Sequence, residues 1–124
     1  MVKKLKYVIQ EHHATHLHWD LRLEMDNVLK SWAVPKEPST DPSVKRLAIQ
    51  VDDHDLSYGA FEGEISEGYG KGTVKIWDFG TYDLVSRKEE KIIVNLHGKK
   101  LSGEYCIVRF KDEGKNWLFF RMKD

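Results

Sequence analysis

Leu17-His18-Trp19-Asp20-Leu21-Arg22-Leu23-Glu24-Met25 alternates strictly between apolar and polar side chains, and this alternation decides the fold. Successive side chains of a strand point to opposite faces. His18, Asp20, Arg22 and Glu24 therefore share one face, and Leu17, Trp19, Leu21, Leu23 and Met25 share the other. The apolar face reads as core. The polar face sets an imidazole, a carboxylate and a guanidinium in a row, each about 6–7 Å from the next. Just upstream, Gln10-Glu11-His12-His13-Ala14-Thr15-His16 adds three more histidines, so this corner of the chain holds four of the six. That is more chemistry than a solvated strand face requires.

Outward from this stretch the pattern stays that of a β protein. Asp26-Asn27 reads as a tight hairpin turn, since Asn and Asp tolerate positive φ. Strands are predicted near Lys6–Gln10, Leu17–Met25, Val28–Ala33, Arg46–Val51, Gly72–Asp78, Gly80–Ser86, Lys91–Leu96, Gly103–Phe110 and Asn116–Met122. Turn residues recur at about eight to twelve positions, the spacing of a barrel or sandwich. Asp41-Pro42-Ser43-Val44-Lys45 is predicted as one short helical turn, with Asp41 as N-cap and Pro42 at the first position. Asp52 to Lys71 is the longest stretch without strand pattern, and such stretches in compact domains are often functional loops. The expected fold is mostly β, one domain over residues 1–124.

Composition bounds the function. With 124 residues the chain has the size of one domain with a core of its own. Its single cysteine, Cys106, sits in the strand pattern Glu104-Tyr105-Cys106-Ile107-Val108 and is expected to be a buried, inert thiol. No intrachain disulfide is possible. No signal-peptide pattern and no run of about 18 apolar residues is visible, so the default compartment is the cytoplasm, without a membrane. A formal net charge of zero argues against coating nucleic acid by charge alone, but leaves room for a local basic pocket.

Four constellations carry chemistry. His12, His18 and Asp20 supply imidazole nitrogen and carboxylate oxygen, donors that suit Mn²⁺ or Zn²⁺, and three protein ligands leave positions open for substrate. His12 reaches the other two if the chain turns near Ala14-Thr15. Any one histidine alone reads as a solvated side chain; the cluster is what points to a metal. His13 and His16 read as bystanders. Arg22, Lys36, Arg46 and His54 suit a phosphate group, which arginine binds through two parallel hydrogen bonds. Strand parity puts Arg46 and His54 on one nominal face about 26 Å apart, so both serve one ligand only if the chain bends, or they serve different parts of a substrate. Singly, each reads as surface charge. Gly68-Tyr69-Gly70-Lys71-Gly72, after Glu62-Gly63-Glu64, is not a Walker or dinucleotide pattern, and a flexible hairpin or bulge is its expected role. Lys115-Asn116-Trp117-Leu118-Phe119-Phe120-Arg121-Met122 mixes basic and aromatic residues as nucleic-acid platforms do, but a closing barrel strand explains it as well and is preferred. Neither a Gly-x-Ser-x-Gly elbow nor a cysteine nucleophile is present.

Taken together, Gln10-x-His12, Leu17-His18-x-Asp20-Leu21-Arg22-Leu23-Glu24, Leu29-Lys30-Ser31-Trp32-Ala33-Val34-Pro35-Lys36, Asp53-His54…Tyr58, Phe61-Glu62-Gly63 and Gly68-Tyr69-Gly70-x-Gly72-Thr73-Val74 resemble the 3′-phosphoesterase domain of bacterial DNA ligase D. The resemblance runs in order from about Tyr7 to the end. It implies a compact β-barrel with short helical turns and a crescent-shaped active-site groove. It also implies a Mn²⁺-dependent enzyme of end-joining repair, with Zn²⁺ or Co²⁺ as other occupants. Two activities go with the family: a phosphodiesterase step that removes a terminal 3′-ribonucleoside, and a phosphomonoesterase step that removes the remaining 3′-phosphate to leave a 3′-OH. Carried over residue by residue, His12, His18 and Asp20 fall on metal ligands. Arg22, Arg46, His54 and Tyr58 fall on residues that engage phosphate or support catalysis, and Lys36 and Gln10 fall near that pocket. The expected partners are the 3′ ends of DNA or RNA–DNA primer–templates, with a separate DNA ligase and polymerase beside a domain that stands alone.

This chain departs from the pattern in three places. Relatives carry an N-terminal arm important for the diesterase step, where this chain begins close to the core. His16 stands where relatives often have Arg, and Asp52 where Glu is common. Two other readings remain: a metallohydrolase of other phosphate esters, and a non-catalytic nucleic-acid-binding barrel with a structural metal. A three-ligand set with no fourth ligand nearby argues against the closed structural site.

Overall fold

The computed structural model describes residues 4–66, 71–110 and 114–123. Nine strands carry the chain: β1 (Leu5–His13), β2 (Leu17–Met25), β3 (Val28–Val34), β4 (Arg46–His54), β5 (Gly63–Ile65), β6 (Gly72–Lys88), β7 (Lys91–Gly98), β8 (Ser102–Arg109) and β9 (Asn116–Arg121). A 3₁₀ helix, Leu56–Ala60, lies between β4 and β5. The strands pair antiparallel in the order β1-β2-β3-β4-β9-β8-β7-β6-β5, and β1 also pairs with β6. Eight strands thus close into a barrel, with β5 added beside β6.

Period-two patterning builds the interior. Tyr7, Ile9, Leu21, Leu23, Trp32, Leu96, Tyr105, Ile107 and Phe119 are fully buried and belong to one cluster. Burying a side chain of this size contributes about 1.5–3 kcal/mol against the entropy of ordering it. The predicted β2–β3 hairpin forms, with Asp26 at φ 57° and Asn27 at φ 65°, the left-handed pair of a type I′ turn. Cys106 is buried, as expected. The Lys115–Met122 segment contributes β9, which bridges β4 and β8 and completes the barrel.

Several sequence expectations need correction. The strands expected at Gly72–Asp78 and Gly80–Ser86 are one 17-residue strand. A register shift lets Ile9 face Asp78 while Gln10 faces Ile76, so Trp77 is an extra, bulged residue. A bulge bends a strand without ending it. This lets β6 pair with β5 at its start and with β7 at its end. The helical turn expected at 41–45 is a β-turn, in which Val44 N–H donates to Asp41 C=O (3.0 Å). Asp41 Oδ1 accepts from both Ser43 N–H (2.9 Å) and Ser43 Oγ–H (2.8 Å), the local bonding that competes with helix. The Asp52–Lys71 stretch contains the 3₁₀ helix and β5, and Gly68-Tyr69-Gly70 lies outside the described residues. Gly72 has a clear role. Its φ is +147°, and a Cβ there would sit 2.0 Å from the His13 carbonyl oxygen.

On β2, Leu17, expected in the core, is instead 43% exposed at the strand's start, while the polar-face residues Asp20 and Arg22 are only 6% and 3% exposed. The apolar side faces the barrel interior. The polar side is covered by the Leu56–Phe61 segment, since Gln10 Nε2–H donates to the carbonyls of Tyr58 (2.8 Å) and Phe61 (3.1 Å). Gly59 packs there too, a Cβ on it falling 3.4 Å from Leu29 Cδ1 and 3.5 Å from Val8 Cγ1. Among the described residues no helix is long and apolar enough to cross a membrane.

Candidate active site

Antiparallel register assembles the site across three strands. His12 stands opposite His18, and Gln10 opposite Asp20, across β1 and β2. Asp20 faces Ala33, and Arg22 faces Ser31, across β2 and β3. Directly opposed side chains lie on the same face about 4.5–5.5 Å apart at Cβ, so ligands spread along the sequence meet in space. One donor atom from each of His12, His18 and Asp20 falls within 4.8 Å of the others, a set able to hold a metal ion. His18 Nε2 is 3.2 Å from Asp20 Oδ1, and His12 Nδ1 is 3.5 Å from Asp20 Oδ2. The His16 carbonyl lies 3.1 Å from His18 Nδ1 and turns the ring's Nε2 toward Asp20. His16 thus acts through its backbone, while its side chain is exposed. His13, also exposed, pairs with Glu11.

Burial raises the Asp20 carboxyl pKa, but the His18 hydrogen bond and the Arg22 charge outweigh it and hold the group below its ordinary value. The bond to Asp20 raises His18 against the opposing effect of burial. Asp20 is therefore an ionised, oriented carboxylate in a largely dry setting.

Arg22 is fixed on every side. Its Nε–H donates to Gln10 Oε1 (2.5 Å) and its Nη1 to Ser31 Oγ (2.8 Å), while Nη2 lies 3.5 Å from Asp20 Oδ2. The guanidinium carbon sits 4.9 Å from the centre of the Tyr58 ring. Tyr58 stacks on Phe61 at 5.2 Å and contacts the His54 ring at 4.8 Å. Arg22 Nη1 is also 3.1 Å from His54 Nδ1. Burial, then the Arg22 charge, pushes His54 below the ordinary imidazole value. The neutral ring is thus favoured, and its Nδ1 lies between a donor, Arg22 Nη1, and an acceptor, the Asp52 carbonyl at 3.0 Å, so each tautomer has a partner there.

A second bulge brings His54 here. Ser31 pairs with Val51, but Leu29 pairs with His54, so three residues of β4 oppose two-residue spacing on β3. Parity flips at this point. His54 joins the face of Ser31 and Arg22, while Arg46 keeps the side of core residue Ala48. The single face predicted for Arg46 and His54 is therefore not formed. Arg46 lies at the other end of β4, where its Nε–H donates to the Glu37 carbonyl (2.8 Å), beside exposed Lys36. Among the described residues, neither Lys36 nor Arg46 contacts the His12–His18–Asp20 cluster. The structure thus gathers His12, His18, Asp20, Arg22, Gln10, His54 and Tyr58, and sets Lys36 and Arg46 apart. Sequence reasoning gave no role to Ser31 or Phe61, although both stand in the motif blocks.

A closed antiparallel barrel carrying two imidazoles and a carboxylate on its outer wall, with a buried guanidinium alongside, defines a protein with a candidate divalent-metal centre beside a phosphate-sized cation. Comparison with known families matches residues 10–109 to the DNA Ligase D 3′-phosphoesterase domain, and the chain belongs to this family of phosphoesterase domains. It is 50% identical over 123 residues to the multifunctional non-homologous end joining protein LigD of Mycobacterium bovis, covering 95% of this chain and 16% of that protein. The corresponding LigD of Pseudomonas aeruginosa is 46% identical over 128 residues, covering 97% of this chain and 15% of the relative. That of Mycolicibacterium smegmatis is 48% identical, covering 96% and 17%. The chain spans about a sixth of the length of these relatives.

Proposed function

We propose that the chain heals DNA 3′ ends for end joining. With Mn²⁺ bound, it removes a 3′-phosphate and, in a preceding diesterase step, a terminal 3′-ribonucleoside, leaving a 3′-OH. The observation that carries this reading is the convergence of His12, His18 and Asp20 donor atoms within 4.8 Å, beside the immobilised Arg22. The donor set fits the metal: two imidazoles and one ionised carboxylate suit Mn²⁺, Zn²⁺ or Co²⁺ and leave coordination positions for substrate. A divalent cation held there supplies Lewis-acid stabilisation of charge on the phosphate.

The chain's own residues do the rest. Arg22, locked by Gln10 and Ser31, is a preorganised cation for the phosphate oxygens, and such groups need no reorganisation as charge develops. His54, in the tautomer whose Nδ1 accepts from Arg22, donates from Nε2 to a phosphate oxygen or to the departing 3′-oxygen. Tyr58 holds the Arg22 and His54 planes in place. Lys36 and Arg46, at the far end of β4, serve a part of the substrate away from the scissile phosphate. The acceptors of the resulting 3′-OH are a polymerase and a ligase, and the working compartment is the cytoplasm.

The test uses 5′-labelled primer–templates ending in a 3′-phosphate or in a ribonucleotide, each with Mn²⁺ or chelator. Mn²⁺-dependent conversion of both to 3′-OH, lost in His18→Ala, is the expected result. Turnover of the phosphate substrate alone removes the diesterase half of the proposal. Turnover of neither transfers the site to another phosphate ester.

A further inference from the structure

We propose that the barrel mouth ringed by Lys30, Arg87, Lys88 and Arg109 is a second phosphate-binding site, separate from the His12–His18–Asp20 cluster. The cavity there has a volume of about 420 Å³, within the ~300–1,000 Å³ range of small-molecule sites, which favour barrel mouths. Trp32 and Trp117 line it, edge to face with centroids 5.9 Å apart. They are only 1% and 4% exposed. The indole N–H groups of both, and the Nε–H of Arg109, are buried without an acceptor among the described residues. Buried donors are almost always paired, and an orphan costs about 1–3 kcal/mol. Three of the five such atoms among the described residues belong to side chains lining this one mouth. All three are donors, so a ligand that seats in the mouth and draws these side chains toward it is one rich in acceptors.

The rim sets the sign of its charge. Arg87 is held by both carboxylate oxygens of Asp26 (2.7 and 3.0 Å), and Lys30 by Asp53 (3.1 Å). Lys88 and Arg109 make no ion pair with any described residue, and Glu89 is the one acidic side chain of the described lining. A phosphate group, with several acceptor oxygens and negative charge, meets both the orphaned donors and the unpaired cations. Asp53, the partner of Lys30, directly precedes His54, so the mouth adjoins the bulge that delivers His54 to the active site. A backbone phosphate of a bound polynucleotide is therefore one source, and free phosphate is the other.

The four tryptophans give four indole N–H resonances, which makes ¹⁵N–¹H spectroscopy of the whole chain a direct test. Inorganic phosphate, and separately a short single-stranded oligodeoxynucleotide ending in 3′-OH, are titrated without added metal. The expected result is a saturable downfield shift of the Trp32 and Trp117 signals, with those of Trp19 and Trp77 static. Arg109→Gln and, independently, Lys88→Gln raise the midpoint at least tenfold while phosphoesterase turnover on a 3′-phosphate is retained. Oligonucleotide saturating at tenfold lower concentration than phosphate identifies the strand as the source; equal or weaker binding identifies free phosphate. Static Trp32 and Trp117 signals with both probes, or shifts unchanged in both variants, overturn the site. The readout does not depend on turnover, so the failure of either functional reading is visible apart from the other.

Discussion

At the scale of single residues, the most consequential side chains are buried charges with every bond accounted for. Arg22 is one. Lysine in its place keeps the charge but loses the planar fork that bonds Gln10 and Ser31 at once. Arg22→Lys is expected to lower kcat by roughly 10²–10³ with the far-UV circular dichroism of the barrel unchanged; wild-type turnover would remove Arg22 from the chemistry. Asp78 is the other. It is buried and accepts from the backbone N–H groups of Lys99 (2.8 Å), Lys100 (3.0 Å) and Leu101 (2.9 Å), and from Tyr7 O–H (2.9 Å). Burial raises its pKa, but these donors outweigh it and hold the carboxyl below its ordinary value. Because the folded value is the lower one, the stabilisation is complete above the unfolded value of about 4 and is lost as pH falls through the folded value. Asp78→Asn keeps the shape but not the charge. It should cost roughly 2–4 kcal/mol at pH 7 and flatten the acid limb of a urea-midpoint-versus-pH curve below about pH 4. An unchanged acid limb would mean that Asp78 does not carry the pH dependence.

At the scale of elements, the long strands were legible, whereas the three-residue β5 and the irregularities were not. Alternation in Leu17–Met25 and the Asp26-Asn27 turn located β2 and the start of β3 to the residue, because one buried face and one left-handed turn each leave a local mark. The same alternation marked Asp20 and Arg22 as neighbours on one face, but carried no sign of what covers that face. Nothing local in Gln10 announces that its amide will hold down Tyr58 and Phe61, 48 and 51 residues away. Bulges escaped for a related reason. The extra residue in β4 that delivers His54, and Trp77 in β6, depend on the partner strand's register, which a period-two count along one strand does not contain. The cover over the site gives a prediction at this scale. Gln10→Leu keeps the volume and removes both tethers, so amide hydrogen exchange across 56–61 should accelerate at least tenfold relative to exchange in β7 and β8. Equal protection in the variant would show that the segment is held by packing of Tyr58 and Phe61 alone.

At the scale of the molecule, barrel closure brings β1 against both β2 and β6, and the site depends on that closure because two of its members, Gln10 and His12, lie on β1. The closed wall fixes the donor atoms before any ion arrives, so binding energy goes into the folded state rather than into assembling the ligands. A ligand that binds only the native state stabilises it by RT ln(1 + [L]/Kd), about 2.7 kcal/mol at a hundred times Kd. For a domain of this size, that is roughly a 10 °C rise in Tm. Thermal unfolding with Mn²⁺ against chelator should show this rise in the wild type, still growing with the logarithm of metal concentration well above Kd. In Asp20→Ala the rise should disappear. In Arg22→Lys it should persist, since Arg22 sits beside the cluster without supplying a ligand atom. A shift of equal size in Asp20→Ala would place the ion elsewhere on the barrel. No shift in the wild type at millimolar Mn²⁺ would mean that the three donor atoms, near as they are, do not form a metal centre.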